Sequence, residues 1–495
     1  MHFQWTSLAL VAAAALQATT SQALPTNMIS CLQAIKGKSY LITPSSSNYT
    51  KESLTENYLF NYKPQAIFHP ATNNDVSAAI KCASAANVAI APRSGGHSFE
   101  GYSAGGQDGS LIIDLNQFNQ FSIDKKTNIA TIGGGNRLGP TYAKLWANGQ
   151  YLIPAGTCPT VGIGGHALGG GVGMTSRKYG VLSDNIVSMT VVDPSGAIKT
   201  ASATENTDLY WALRGAGGGS FGVVTEFRIQ AYKPPSKVTS MTLDFPLSKY
   251  STILDAYAAF GATASEDLMA EMNLDTSGNM QVQVVYLGSK ADANKAVAPL
   301  LKATGKPKSS DIREGKWIDA AVRFAWMQNS DLANPKAGDS NYAKGRSLVY
   351  RQALNKKEKD IIYKYLTAPP KGISAAYLIV DLWGGKINRP ASESAFVHHG
   401  AVIGIEFVTE WGDAGTKPGK KACGPCQTWS LNFYKEMLAA YTKGQPIQAY
   451  QNYIDKDLPN SMDAYYGKAL PRLKTIKKSV DPNNVFRFPQ SIPLN

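Results

Sequence analysis

Cysteine and histidine are both scarce here, at five and six of 495 residues. The one close histidine pair, His398 and His399, is adjacent, and on a strand such neighbours point to opposite faces. No Cys or carboxylate spacing beside them completes a ligand set, so no metal is expected. Charge is also sparse, at 17% against 43% hydrophobic residues, which describes a globular chain and excludes a disordered one. The net charge of +13 comes without a dense Lys/Arg run or an RNA-binding signature. A diffuse basic surface is expected, and no nucleic-acid partner. Past the N-terminus no apolar run reaches spanning length, so no membrane span is expected. Internal repeats and low-complexity linkers are lacking too. No GxxxxGK[ST] loop occurs, and no GxGxxG joins a strand to a long helix, which disfavours a nucleotide triphosphatase or an ordinary dinucleotide fold.

What is present begins with MHFQWTSLALVAAAALQATTSQA. An apolar stretch from Leu8 to Leu16 runs into small residues ending at Ala23, the pattern of a secretory signal peptide over residues 1–23. Asn48-Tyr49-Thr50 is an N-glycosylation sequon that fits a secreted route. An odd cysteine count in a secreted chain leaves one thiol to explain. Cys423 and Cys426 stand in CGPC, close enough for a local bridge. Cys31 and Cys82 lie in helix-like segments and form a pair that ties the N-terminus down. Cys158 is the leftover, inside a glycine-rich loop.

The chain is longer than a single core usually sustains, so two domains are expected. From Tyr62 onward short strands alternate with helices: AIFHP, VAIAPR, GSLIIDL, IATIGGG and YLIPAG read as strands. NNDVSAAIKCASAANV, with an Asn cap, and TYAKLWANG read as helices. NIVSMTVVDPSGAIKTAS reads as a hairpin turning at Pro-Ser-Gly. After KPPSK the helices lengthen (SKYSTILDAYAAFGA, KADANKAVAPLLKATG) and alternate with MQVQVVYLG, SAAYLIVDLWG and GAVIGIEFVTEW. That pattern reads as an antiparallel sheet backed by helices, an α+β architecture.

Three glycine-rich runs fall in the first half: PRSGGHSFEGYSAGG, GGHALGGGVG and GAGGGSFG, each read as following a strand. Glycine lets backbone approach a ligand closely and lets N–H groups point at anionic oxygens. Three such runs point to a large anionic cofactor.

PRSGGHSFEGYSAGG, PAGTCPTVGIGGHALGGGVG, LYWALRGAGGGSFGVVTEF and the terminal DPNNVFRFPQSIP together resemble the berberine bridge enzyme-like branch of the FAD-linked oxidases, most similar to fungal-type oligosaccharide oxidases. The resemblance runs from about Cys31 to the C-terminus and is loosest between residues 236 and 370. It implies a two-part FAD-binding domain of the vanillyl-alcohol oxidase type over residues 28–235, a substrate domain over 236–447, and a C-terminal segment over 448–495 that returns to the first. It also implies FAD held by two covalent bonds, with His97 of GGHS at the 8α carbon and Cys158 of GTCP at C6. Around them Arg93, Ser94, Gly95, Gly96, Ser98, Val161, Gly162, Gly164, Gly165, His166, Gly169, Gly170, Gly173, Val223, Asn452 and Gln490 are expected to contact the cofactor. Valine at 161 resembles the oxidase form of the family, in which dioxygen reaches the flavin; isoleucine there tends to block it.

Oxidising an alcohol needs an electron acceptor and a base for the hydroxyl proton. QNYID matches the family segment whose tyrosine faces the flavin, which makes Tyr453 the candidate base. Asp381 of IVDLWGG matches an aspartate that assists it, and Glu406 of GIEFVTEW is the rival. Either carboxylate is alternatively a salt-bridge partner on a solvated face. By the period of two, Tyr377, Ile379 and Asp381 share one strand face that lines the substrate cleft. Ile379 replaces a glutamine of the sugar oxidases. Ala270 and Met272 replace an arginine and a glutamate, with Met272 expected at the substrate. The resemblance implies a secreted, monomeric oxidase of the anomeric carbon of a reducing oligosaccharide, with oxygen as acceptor and lactone and hydrogen peroxide as products. A phenolic or alkaloid-like metabolite is the alternative substrate. CGPC leaves open a thiol–disulfide exchange site, since the QTWSLNFYKEMLAAY that follows reads as a helix that would lower a thiol pKa.

Overall fold

The computed structural model describes residues 26–35, 37, 39–325, 331–336, 341–390, 392–412, 423–441 and 445–495. The expected leader, residues 1–23, lies outside them. Among the described residues no helix is long and apolar enough to cross a membrane.

Three sheets follow one another along the chain. The first holds β1 (Tyr40–Ile42), β2 (Ala66–His69), β3 (Ile90–Arg93) and β4 (Leu111–Asp114) in the order β1-β2-β4-β3. Its β2–β4 and β3–β4 pairs are parallel. Strands β2 and β4 are buried along their whole length, as parallel strands covered on both faces should be. The helix Asn73–Ala85 covers this sheet. Its cap is Thr72, not an asparagine: the Thr72 hydroxyl accepts from the Asp75 N–H, and the Asp75 carboxylate accepts from the Thr72 N–H. A Cys31–Cys82 disulfide pins the helix Thr26–Gln33 onto it. Closing a loop across 51 residues of separation stabilises by about 4 kcal/mol in the chain-entropy model.

The second sheet is antiparallel: β5 (Phe121–Asp124), β6 (Ile129–Gly133), β7 (Ile186–Val192), β8 (Ile198–Ser202) and β9 (Val223–Gln230), ordered β5-β6-β9-β7-β8. The Pro-Ser-Gly hairpin is β7–β8. YLIPAG does not join a sheet. It makes one isolated bridge, Leu152 with Tyr232, and then leaves, because Pro154 has no N–H to extend a ladder. As a result the second glycine run does not follow a strand; nor does the third, which follows the helix Thr207–Ala212.

The third sheet has seven antiparallel strands: β10 (Val238–Pro246), β11 (Leu268–Asp275), β12 (Asn279–Tyr286), β13 (Ser309–Gly315), β14 (Tyr342–Tyr350), β15 (Ile373–Leu382) and β16 (Ile403–Trp411), ordered β13-β10-β12-β11-β15-β16-β14. Helices Tyr250–Thr263 and Lys290–Thr304 back it, and Leu268, Ala270, Met272 and Leu274 of β11 are buried in the core they share. Successive side chains alternate faces, so Glu271 and Asn273 turn the other way. Register then builds rows on that face: Glu271 lies opposite Asp381, and Ile379 lies opposite Asn273 on one side and Glu406 on the other. Tyr377 stands in the next row, opposite Val408.

The C-terminal segment closes on the first two sheets. Val485 and Phe486 are buried in the core of the first, and the Lys477 ammonium donates to the Ser220 carbonyl at 2.9 Å. Cys423 and Cys426 are bridged at the start of the helix Gly424–Ala440.

Candidate active site

The two histidine-bearing glycine loops meet backbone to backbone. A Cβ on Gly95 would sit 2.2 Å from the Gly162 nitrogen, and one on Gly162 would sit 2.1 Å from the Gly95 nitrogen. Only glycine at both positions permits that contact. Ser94 fastens it: its hydroxyl donates to the Gly134 carbonyl at 2.6 Å and accepts from the Gly164 N–H at 3.3 Å.

This contact brings His97 and Cys158 to one cavity of about 450 Å³, with Ser94, Gly95, Gly96 and Ser98 along its first wall. Val161, Gly162, Gly164, Gly165, His166 and Gly173 line it from the second loop. Thr160, absent from the sequence reading, serves both anchors. Its backbone hydrogen-bonds the His97 ring, and its hydroxyl lies 3.4 Å from the Cys158 sulfur. Arg137 in turn donates to the Thr160 carbonyl at 2.8 Å. Burial first, then the nearby Arg137 charge, pulls the His97 pKa down to about 3, so the imidazole is neutral. Burial pushes the Cys158 thiol up. His166 is likewise neutral, lowered to about 4 by burial, and its Nε2 accepts from the Gly156 N–H at 3.0 Å.

The opposite wall comes from the seven-stranded sheet and the C-terminal segment. Tyr377, Ile379, Asp381 and Glu406 line it, with Glu271 and Glu410. Tyr453 arrives on a short turn, Gln451–Tyr453, anchored through Tyr450. The Tyr450 hydroxyl accepts from the Gly171 N–H and from the Asn452 amide, both at 2.8 Å. Phe99 and Tyr450 pack edge-on against the Tyr453 ring, with centroids at 6.1 and 5.0 Å. Tyr453 hydrogen-bonds Glu406. Burial, then the negative neighbours Glu406 and Asp381, raises the Tyr453 pKa well above its usual value. Glu406 and Asp381 are also held well above the carboxylate range, each by burial first and then by the other carboxylates.

Six residues expected at the site stand elsewhere. Arg93 pairs with Asp114 and donates to the Glu52 carbonyl at 2.6 Å, inside the first sheet. Met272 is fully buried in the core behind β11, one residue out of phase with Glu271. Val223 faces the core of the first sheet, while Val224 lines the cavity. Gly169 packs beneath Asn452, where a Cβ would meet its side-chain oxygen at 1.9 Å, and Gly170 packs on Phe396. Gln490 lies one shell back, between the Tyr102 hydroxyl and the Asp455 carbonyl, each at 2.9 Å. Asn452 does line the cavity. Asn48 is exposed at the surface. Among the described residues no group of three or more His, Cys, Asp or Glu side chains is placed to hold a metal. His398 is buried and His399 bonds the Ile387 carbonyl.

One buried cluster joins three distant segments beside the cavity. Lys344 of β14 pairs with Glu100 of the first glycine loop and, at 3.0 Å, with Asp455. Arg346 reaches Asp457 at 2.8 Å. Glu100 and Asp455 are almost wholly inaccessible; Lys344 is the counter-charge of Glu100 and shares Asp455 with Arg346, which stands 3.4 Å from it.

The residues present fit a flavin dinucleotide. A Cβ on Gly165 would meet nothing within 4 Å, so bare backbone faces open space. His97 Nε2 is buried without a hydrogen-bond partner among the described residues, and Cys158 is free of any disulfide.

Comparison with known proteins agrees. Residues 64–202 match the FAD binding domain family, and residues 449–493 match the berberine and berberine-like family. A xylooligosaccharide oxidase of Thermothelomyces thermophilus is 32% identical over 445 residues, covering 87% of each chain. The solved structure of BBE-like 1 from Physcomitrella patens superposes with a TM-score of 0.86 at 35% identity, covering 95% of this chain and 100% of that one. A glucooligosaccharide oxidase of Acremonium strictum, described with 6-S-cysteinyl, 8α-N1-histidyl FAD, superposes at 0.83 with 27% identity over 94% and 99% of the two chains. Glycine loops, free thiol and neutral histidine thus converge with sequence and shape: the chain belongs to the berberine bridge enzyme-like branch of the FAD-linked oxidoreductases.

Proposed function

We propose that this FAD-linked oxidoreductase is a secreted oxidase of reducing oligosaccharides. It would remove the anomeric C1 hydrogen and the O1 proton of the sugar to give a lactone, with oxygen reduced to hydrogen peroxide. One observation carries the reading: a single cavity holds a free thiol and a neutral imidazole whose Nε2 makes no hydrogen bond among the described residues on one wall, and a hydrogen-bonded tyrosine–carboxylate pair on the other. His97 and Cys158 are the residues to hold the flavin on two covalent bonds. When bound, FAD supplies the two-electron acceptor and passes those electrons to oxygen.

The protein's own part is to take the proton. Tyrosinate is disfavoured at Tyr453, because every carboxylate near it opposes a second negative charge. Glu406 is better suited as the final acceptor. Its raised pKa makes its ionised form a stronger base than an ordinary carboxylate, and it already holds the Tyr453 hydroxyl. Tyr453 then passes its own proton to Glu406 as it takes one from the sugar hydroxyl, and no charge builds up on the phenol. Asp381, on the same face one strand away, supplies field and a second acceptor.

The xylo- and glucooligosaccharide oxidase relatives support the sugar. The leader pattern, two disulfides and exposed Asn48 support secretion. An aromatic secondary metabolite is the second reading, favoured by the aliphatic Ile379 beside Glu406. Met272, buried behind β11, does not bear on that choice. Product analysis decides between them: lactone and peroxide formed one to one from cello- or xylo-oligosaccharides are expected, and turnover of aromatic alcohols alone would overturn the sugar reading.

A further inference from the structure

The carboxyl side chains of the cavity have no cationic side chain among them. Glu56, Glu271, Asp381, Glu406 and Glu410 all line the cavity, and no lysine or arginine does among the described residues. In a chain of net charge +13, this is a local reversal. Glu271 and Asp381 are the sharpest case. They stand directly opposite each other on neighbouring strands, facing the same way. Like charges so placed repel. Elsewhere in this protein such a pair receives a counter-ion, as Lys344 serves Glu100 and Asp455. Glu271 receives only a neutral donor, the Asn273 amide at 3.0 Å.

Glu271 also holds a junction. A second cavity, about 620 Å³, adjoins the first, and Glu271, Thr157 and Tyr377 line both. Its walls add Asp275 and Asp311 and the amides of Asn273, Gln281 and Gln283. Arg323, its one lining arginine among the described residues, is already engaged by Asp311 at 3.1 Å and by the hydroxyls of Ser240 and Thr242, both at 3.0 Å. A ligand running from the flavin side into this groove passes Glu271, which has no cationic partner among the described residues, and finds hydrogen-bonding amides beyond it.

We propose that Glu271 is a specificity-determining residue that selects sugars bearing a protonated amine, a glucosamine-type oligosaccharide, over neutral ones, and rejects uronic acids. This rests on the oligosaccharide reading. The ligand's ammonium group supplies the counter-charge that the Glu271–Asp381 pair lacks, forming charge-assisted hydrogen bonds in a partly desolvated site.

The test is calorimetric titration of the purified holoenzyme with three reduced trisaccharides of equal length: glucosamine-type with free amines, its N-acetylated form, and a neutral glucan. A fourth ligand ends in a uronic acid. Being alditols, they bind without turnover, so the result is independent of the oxidation reading. The free amine is expected to bind at least about tenfold tighter than the neutral ligand, as one added charged hydrogen bond permits. Acetylation should erase that advantage, and the uronate should bind weakest. Glu271→Gln, with flavin content reporting that it has folded, should lose the advantage too. Equal affinities, the mark of a pair that shares a proton instead, would overturn the proposal, as would an advantage that survives Glu271→Gln. The wild-type ligand series decides even if the variant fails to fold. Charge selection without oxidation of any reducing sugar would sink the sugar-oxidase reading and leave only the binding selectivity of Glu271 standing; oxidation without charge selection would sink this proposal and leave that reading intact.

Discussion

Replacing Glu406 with glutamine separates the two roles that the Tyr453–Glu406 pair combines. The amide oxygen still accepts from the Tyr453 hydroxyl, and the strand register that places residue 406 opposite Ile379 is untouched. What disappears is the ability to take a proton. General-base catalysis contributes roughly 100- to 10,000-fold, or about 2.7 to 5.4 kcal/mol of barrier. Asp381 lies on the same face and is itself a carboxylate of raised pKa, so it remains as a substitute acceptor. The loss should fall in the lower half of that range. Stopped-flow bleaching of the flavin under anaerobic conditions reads the step directly. The pH profile gives a second, signed check. Burial, followed by Asp381 and Glu271, holds Glu406 well above the usual carboxylate range. Only its ionised form accepts a proton, so the wild-type rate should climb with pH through that raised pKa. The Gln variant should lack that limb. Removing the Glu406 charge also removes a cause of the raised Tyr453 pKa, so any alkaline limb from the phenol should move down. A variant that reduces its flavin at the wild-type rate, with the acid limb intact, would refute the relay.

Tyr453→Phe should slow flavin reduction at least as much with flavin content unchanged, and a near-normal reduction rate would remove tyrosine from the path. His97→Ala and Cys158→Ala should each retain flavin through acid precipitation and the double variant should release it; wild-type protein that releases flavin in acid would end the two-bond proposal. Val161 lines the cavity beside Cys158, and Val161→Ile should slow reoxidation in air far more than substrate reduction, since one added methyl closes a gap in a packed wall. Fast wild-type reoxidation by a quinone dye but not by air would mark a dehydrogenase instead. Lys344→Met leaves the buried Glu100 without its cation, while Asp455 keeps Arg346 at 3.4 Å, and should cost about 3–5 kcal/mol, read as a lower urea midpoint at unchanged slope; an unmoved midpoint would show that the cluster contributes nothing net.

Local pattern made much of this legible. Both disulfides followed from cysteine placement, and the facing of Tyr377, Ile379 and Asp381 followed from the pleat. On β11 the resemblance put Met272 at the substrate, one position out of phase with the pleat, which buries Met272 and turns Glu271 to the cavity. On β9 likewise the resemblance named Val223, while its neighbour Val224 lines the cavity. Arg93 was misread for another reason: a lone arginine beside a glycine loop looks available for an anion, and nothing local shows that Asp114 and Glu52 already occupy it. Gln490 sits behind Tyr102, a separation in space that chain order hides. Thr160 is two residues from Cys158, yet its service to His97 depends on a contact between loops. Such contacts are set by tertiary packing, and so is the charge cluster around Lys344.

That cluster has a bearing on how the protein is made. It ties residue 100 to residue 344 and both to residue 455, and the turn carrying Tyr453 lies immediately before the last of these. A nascent chain that has finished both glycine loops therefore owns the residues proposed to anchor a flavin but not the lid of charges that fixes their loop. Glu100, buried and without its lysine, would favour an open arrangement until β14 and then the tail arrive. Capture of the cofactor is then expected late, after synthesis of the tail, and a chain cut short before Asp455 should accumulate as colourless protein.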